Sequence, residues 1–439
     1  MKKINIQSIY GTMLLSTMVL AGLLTTGCSR SVTSQQHNPA HTRIKVWKQR
    51  EFVLSTFHAV GGDTTLYRKI LTQTKDAGIN LVELSFLSTD NLYAAMRAAE
   101  DVGVKVLAED LSHISGVGDK VPSFTEETVA QNVSQMKKFT MLEGYYAWDE
   151  PFEKDFTKLR QLRDLLKKHD APRLAFSVLF PSYGVYTWAK GDYTWSDNSY
   201  PKYVDNYLKT VDPEVLSFDY YPFRDNHDST GLINNDLWKD FGYIRKKALE
   251  YNKPLWFYFQ AVNLKAEEKS IMDVNRISAQ MYAALAYGVK GLSYFNTAGA
   301  LLDAAANKTP MYNDLKSLNA EIKRLGNFLL DKKSEQLYQT GVMQENKESY
   351  FLDNMESSDL LASVPDDLVI GVFGDTGASK YILIANKRHA AAVEGEIKFR
   401  KRVNVSEVGQ QRGTAIANNT AAIHIKLAPG MGALYIIKK

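Results

Sequence analysis

Eight times between Phe52 and Thr297 the sequence returns to one pattern: a short apolar run rich in β-branched and aromatic residues, then a helix-like stretch of about 20–30 residues. The runs are FVLSTFHA (from Phe52), INLVELSFL (Ile79), VKVLAEDLS (Val104), LEGYYAWDEP (Leu142), RLAFSVLFP (Arg173), EVLSFDYYPF (Glu214), PLWFYFQAV (Pro254) and GLSYFNT (Gly291). Segments such as DNLYAAMRAAEDVG and RISAQMYAALAYGVK separate most of them. Parallel strands need a right-handed crossover between neighbours, usually a helix, so the repeat predicts an α/β chain whose strands close into a (β/α)8 TIM barrel. A doubly wound open sheet is the alternative, but no glycine-rich phosphate loop follows the first run.

A long amphipathic stretch, PMYNDLKSLNAEIKRLGNFLL, follows the eighth run and is expected to complete the outer ring. From about Ser334 the period changes. LVIGVFGD, KYILIANK, EGEIKFR, AIHIKLA and GALYIIKK are short and alternating, and turn residues part them, which predicts a C-terminal antiparallel β-sandwich. The expected boundaries are 44–333 for the barrel and 334–439 for the sandwich. No exposed aromatic cluster stands out in the second domain, so its expected role is to cap the barrel.

The chain opens with MKKINIQSIYGTMLLSTMVLAGLLTTGCSR, a charged end followed by an apolar run and small residues, which is the pattern of a signal peptide over 1–28. Cys28 is the only cysteine, so no internal disulfide can form. Its place after LLTTG resembles a bacterial lipobox, with Thr25 where a Leu is usual. That resemblance implies lipidation at Cys28 and a membrane held through an N-terminal lipid anchor. The polar stretch 29–43 reads as a flexible tether.

The formal net charge of +4 comes from 53 basic and 49 acidic residues, with no dense Lys/Arg block, so a nucleic-acid partner is not expected. Chemistry in such a barrel gathers at the C-terminal ends of its strands. The polar residues there are His58, Glu83, Glu109 and Asp110, Asp149 and Glu150, Asp219, Gln260 and Asn296. One histidine among them is too few to indicate a metal, no cofactor motif is present, and no G-x-S-x-G elbow supplies a nucleophile. What remains is carboxylates among aromatics.

That combination suits glycoside hydrolysis, in which one carboxylic acid protonates the leaving oxygen and a second group stabilises or attacks an oxocarbenium-like centre. The expected substrate is therefore a carbohydrate, with Trp148, Tyr220, Tyr221, Trp256 and Phe295 as candidate walls and Tyr258 beside Trp256 on the seventh run. Asp219 and Tyr221 are two residues apart and share a face. His58, Glu83, Glu109, Gln260 and Asn296 are candidate partners for sugar hydroxyls.

The eight runs, the DEP that ends the fourth, the DYYP of the sixth, the YNDLKSLNAEIKRLG helix and the β-sandwich tail together resemble clan A barrel glycoside hydrolases, most of all a group found as lipoproteins in gut Bacteroidetes. The resemblance implies a glycosidase in the cell envelope, as an outer-membrane lipoprotein. No acidic pair of the kind that marks surface export in that group follows Cys28, which favours the periplasmic face. The resemblance also implies that Glu150 is the general acid/base. Asp149 stands where that clan has Asn, and Gln260 stands at or near its Glu nucleophile. An amide cannot form the glycosyl ester.

Three readings stay open. The DEP also resembles the Asp-Glu pair of barrel N-acetylhexosaminidases, among them the N-acetylgalactosaminidases of family 123, in which the substrate's own acetamido oxygen attacks; Asp149 would then orient that group. Asp219 or Glu109 could instead serve as nucleophile or base. A non-catalytic glycan-binding lipoprotein is the third. For Asp149 and Glu150 to converge, the strand must end between them, and Pro151 is placed to end it.

Overall fold

The computed structural model describes residues 46–438, apart from 111–113, 119, 184–192, 224–230, 234–235, 265–271, 344–345 and 410–411. The stretches expected to be a signal peptide and a tether, Cys28 included, lie outside the described residues. Strands β1 (Val53–Thr56), β2 (Leu81–Leu84), β3 (Lys105–Ala108), β4 (Gly116–Val117), β5 (Leu142–Asp149), β6 (Leu174–Val178), β7 (Leu216–Tyr220), β8 (Leu255–Gln260) and β9 (Gly291–Phe295) form one parallel sheet. Without the two-residue β4 they are the eight predicted runs. Each pairs with its neighbour, β9 returns to β1, and a bridge between Leu179 and Phe218 joins the β6 side to β7, so the barrel is closed.

Among the described residues eight α-helices surround it: α1 (Tyr67–Asp76), α2 (Thr89–Val102), α3 (Glu126–Met136), α4 (Phe156–His169), α5 (Ser199–Val211), α6 (Leu237–Glu250), α7 (Val274–Ala286) and α8 (Tyr312–Leu329). Their ends are written locally. The Ser88 side chain accepts from Asn91 N to start α2, and Gly103, at φ +73°, ends it in a left-handed turn that a Cβ would oppose. Thr125 and Thr128 cap α3 reciprocally.

The barrel interior is a column of side chains that includes Leu81, Leu107, Tyr146, Phe176, Trp256 and Tyr258, while a larger apolar shell lies between strands and helices. The column fills the barrel as a packed core. Phe176 bridges it, 5.3 Å from the Trp256 ring and 5.4 Å from that of Tyr146.

β10 (Lys333–Gln339), β11 (Leu361–Ser363), β12 (Leu368–Gly374), β13 (Lys380–Asn386), β14 (Val393–Val408), β15 (Arg412–Leu427) and β16 (Gly432–Lys438) make the antiparallel second sheet. β14 and β15 run longer than the alternation suggests. The first half of β14 pairs with β11 and its second half with β16, with a register shift between Lys398 and Val403, so the sheet folds over into a sandwich. Ile370, Ile384, Ile397, Val405 and Ile425 fill the space between the layers. Residues of β12 and β13 that point the other way, Val369, Phe373, Leu383 and Ala385, belong to the barrel's outer core. There Gly371 lies so close to α7 that a Cβ would sit 2.1 Å from the Ala286 carbonyl oxygen.

Candidate active site

A cavity of about 410 Å³ opens at the C-terminal ends of the strands. Phe57, Phe86, Tyr146, Tyr221, Tyr258 and Phe295 wall it, and Asp149, Glu150 and Asp219 reach into it. A larger cavity, about 740 Å³ around Gln49, Pro254, Leu255 and Lys290, lies at the opposite end, where the strands begin. The carboxyl groups sit in the first.

Strand β5 delivers two of them by breaking the alternation of a regular strand. Its register against β6 shifts between Tyr146 and Trp148, so Tyr146 and Asp149, three residues apart, both face the cavity. Glu150 then turns back at φ +49°, in the left-handed region, while its N–H still donates to the Val178 carbonyl at 3.1 Å. The adjacent acids thereby share one cavity. The same shift turns Trp148 outward: its ring lies on Gly116, where a Cβ would be 2.4 Å away, and its Nε1 donates to Gly118 O at 3.1 Å. This contact also accounts for β4, which pairs Gly116 with Trp148 and Val117 with Asp149.

Glu150 hydrogen-bonds through its side chain to Asp219, from the next strand but one, and the Tyr221 hydroxyl lies near enough to Asp219 to oppose the rise of its pKa. Asp219 Oδ1 receives no N–H or hydroxyl donor from the described residues. Tyr146 OH donates to Asp149 Oδ1 at 3.0 Å. Burial, with no described lysine or arginine lining the cavity, favours the neutral forms. Burial raises Asp149 to about 6. It raises Asp219 to about 8, with the Asp149 charge adding to it. Glu150 is held well above the usual carboxylate range by burial and then by the charges of Asp219 and Asp149.

Two further acids lie behind these. Glu83 is fully buried and accepts from Tyr258 OH at 2.8 Å and from Ser55 and Ser293 Oγ at 3.1 Å each; burial raises it to about 7 against those bonds. Glu109 accepts from Phe86 N at 3.2 Å, and burial, followed by the Asp149 charge, lifts it well above its ordinary value.

Of the residues named from sequence, Asp149, Glu150, Asp219, Tyr221, Tyr258 and Phe295 come together in the cavity. Glu83, Glu109 and His58 stand outside its lining, and His58 Nδ1 is 3.0 Å from Ser85 O. Asn296 does not line it either; its Oδ1 is buried without a partner among the described residues. Trp148 is removed by the register shift, and Tyr220 packs edge-on to Tyr183 in the outer core. Trp256 sits near the start of β8, where its Nε1 donates to Gln49 at 3.0 Å, a full barrel depth from the carboxyl groups.

Gln260 differs most from its expected place. Its Oε1 accepts from Phe223 N at 2.8 Å, and its Nε2 donates to Phe223 O and Val262 O, both at 3.1 Å. The amide is used up in holding two loops together, a task that needs both donor and acceptor. Sequence reasoning missed Tyr146, Phe57 and Phe86 as cavity residues. Phe57 and Phe86 were visible only as strand-end aromatics, and Tyr146 depends on the register shift.

No family model matches the sequence, and no curated protein sequence matches it. The fold itself has many relatives among solved structures, and the three described here are glycosidases. A β-L-arabinopyranosidase of family 27 from Geobacillus stearothermophilus is 7% identical, with a TM-score of 0.51 over 89% of this chain and 97% of its own. A β-galactosidase from Rahnella sp. R3 is 8% identical, at 0.51 over 89% and 99%. An α-galactosidase/melibiase candidate from Bacteroides fragilis is 12% identical, at 0.51 over 88% and 79%. At these identities the likeness is one of fold alone.

Proposed function

We propose that this chain is a glycoside hydrolase in which Glu150 is the general acid and then the general base. The observation that carries the reading is the placement of Glu150: turned into an aromatic-walled cavity at the end of β5, and shifted toward its protonated form by burial and by the Asp219 charge. A group in that state can give its proton to a leaving glycosidic oxygen. The glycosidase fold of the structural neighbours supports the reading, and the exposed Phe86 at the rim offers a face on which a sugar ring stacks. With acids and no described cation lining the cavity, the proposed substrates are neutral sugars.

Within this reading we favour participation by a substrate 2-acetamido group. Glu150 and Asp219 are in hydrogen-bond contact, well inside the spacing of about 5 Å at which a carboxylate pair brackets a sugar carbon, and Gln260 is engaged elsewhere. Asp149, held by Tyr146, is free to receive the acetamido N–H. In the first step the acetamido oxygen bonds to C1, the C1–O glycosidic bond breaks, and the Glu150 proton goes to the leaving oxygen. In the second, water bonds to C1 as the oxazolinium C1–O bond opens, and its proton returns to Glu150.

The test is release of 4-nitrophenol from a panel of aryl glycosides that includes N-acetyl-β-hexosaminides. Turnover of the acetamido sugars that is lost in Glu150→Gln supports the proposal. Sugar binding without turnover across the panel would make the chain a glycan-binding protein instead. We propose further that Cys28 carries a lipid; membrane-fraction protein that becomes soluble in Cys28→Ser would support this, and unchanged partitioning would refute it.

A further inference from the structure

The steps above leave the opposite end of the barrel without a role. The cavity there, about 740 Å³, is lined by six lysines and arginines, Lys48, Arg245, Lys253, Lys290, Lys332 and Lys333, and by two acids, Glu214 and Asp331. Both acids are engaged. Glu214 pairs at 2.7 Å with Lys167, which lies outside the lining, and Asp331 pairs at 2.7 Å with Lys332. Lys253 in turn is held by Asp212 at 2.7 Å. Lys48, Arg245, Lys290 and Lys333 are left with no carboxylate partner among the described residues.

Two of these four are drawn in from the surface. Arg245, on α6, is 7% exposed; its Nε donates to Ser334 Oγ at 3.0 Å, and its Nη2 is buried without a partner among the described residues. Asp353, the acid whose charge reaches Arg245, accepts from Leu337 N instead. Lys290, the residue before β9, donates to Leu329 O at 2.6 Å and to Lys332 O at 3.0 Å, and an ammonium has a third N–H to give. Burial lowers Arg245, and it lowers Lys290 to about 8, with the Lys332 charge adding to it. Stability offers no reason for such a group. A methionine would fill the place of Arg245 without the cost of burying an unpaired charge.

We propose that this cavity binds the phosphate group of an organic phosphate, with Arg245 and Lys290 on the phosphate oxygens and the exposed Lys48 and Lys333 drawing it in. A tetrahedral oxyanion offers several oxygens to donors that come from different directions, and a guanidinium can meet two of them in a planar fork. The volume is that of a site for an organic ligand rather than for one bare ion, and Ala248, Leu249 and Leu255 give the rest of the molecule an apolar wall. Phosphomonoesters in solution and phospholipid headgroups share this chemistry. The site lies at the other end of the strands from Glu150 and does not depend on the glycosidase reading.

Calorimetric titration of the full-length protein tests this, at an ionic strength held constant with chloride. Phenyl phosphate is the soluble monoester, and dihexanoyl-phosphatidylglycerol, kept as dispersed monomers, carries the lipid headgroup. Saturable binding of at least one, with a Kd at or below about 1 mM, is expected, and the tighter of the two identifies the source. Arg245→Met should weaken it by at least about tenfold, the worth of a charged hydrogen bond. Lys333→Glu changes an exposed side chain, so the fold is kept, and it should weaken binding in the same direction even if Arg245→Met fails to fold. No saturable heat with either probe, or binding left unchanged by these substitutions, would overturn the proposal whether or not any glycoside is cleaved.

Discussion

Glu150 and Asp219 reach the cavity from strands β5 and β7 and hydrogen-bond to each other through their side chains, with both carboxyls buried and no lysine or arginine among the described cavity residues. Two acids in contact without a cation cannot both ionise cheaply, so the pair retains at least one proton well above the usual carboxylate range. That shared proton is the group a leaving oxygen would receive.

Replacing Glu150 by Gln removes the transferable proton and keeps the shape. We expect kcat/KM on a 4-nitrophenyl substrate to fall by roughly 10²–10⁴. The loss should shrink for a 2,4-dinitrophenyl leaving group, which needs little protonation. Equal losses on both substrates would argue against an acid role.

The raised carboxyls also make stability depend on pH in an uncommon direction. Asp219 moves from an ordinary value of 3.8 to about 8 in the folded chain, so the folded state binds more protons than the unfolded one between those values. Its contribution to stability is present below about pH 4 and is lost as pH rises through about 8. Asp219→Asn should therefore gain stability relative to the parent as pH rises from 5 to 8. Urea unfolding at the two pH values measures it, and a pH-independent difference would contradict the proton-binding account.

Gln260→Glu is expected neither to create a nucleophile nor to be tolerated. A carboxylate cannot donate to the Phe223 and Val262 carbonyls, and it would be buried beside them. The loss of stability should be on the order of 2–4 kcal/mol. A variant as stable as the parent with raised activity would show that residue 260 faces the cavity.

Phe86 is 45% exposed at the cavity rim, with its ring edge-on to Phe57 at 5.7 Å. Phe86→Ala should raise KM by about 2–10-fold, the worth of one stacked ring, with kcat nearly unchanged. A fall in kcat alone would assign the ring to the chemical step.

The sandwich is expected to share its unfolding with the barrel. Gly371→Ala would press a methyl onto the Ala286 carbonyl of α7, so a loss of about 1–3 kcal/mol should appear in a single calorimetric transition. Two separate transitions, with only one of them shifted, would show independent domains.

The sequence by itself determined the alternation of strand and helix, the change of period near Ser334, and the presence of Asp149, Glu150 and Asp219 at strand ends, because residue period and strand-end position are local properties of the chain. What each strand-end side chain faces is not local. Tyr146 faces the cavity in place of Trp148 because β5 slips by one residue against β6, and a register shift is decided by the partner strand and by the Trp148 ring settling on Gly116. Gln260 stands on a strand end as the nucleophile position would, yet the Phe223 and Val262 backbone claims its amide. The protonation of Glu150 likewise depends on Asp219, 69 residues further along the chain, and on the burial that only the closed barrel supplies.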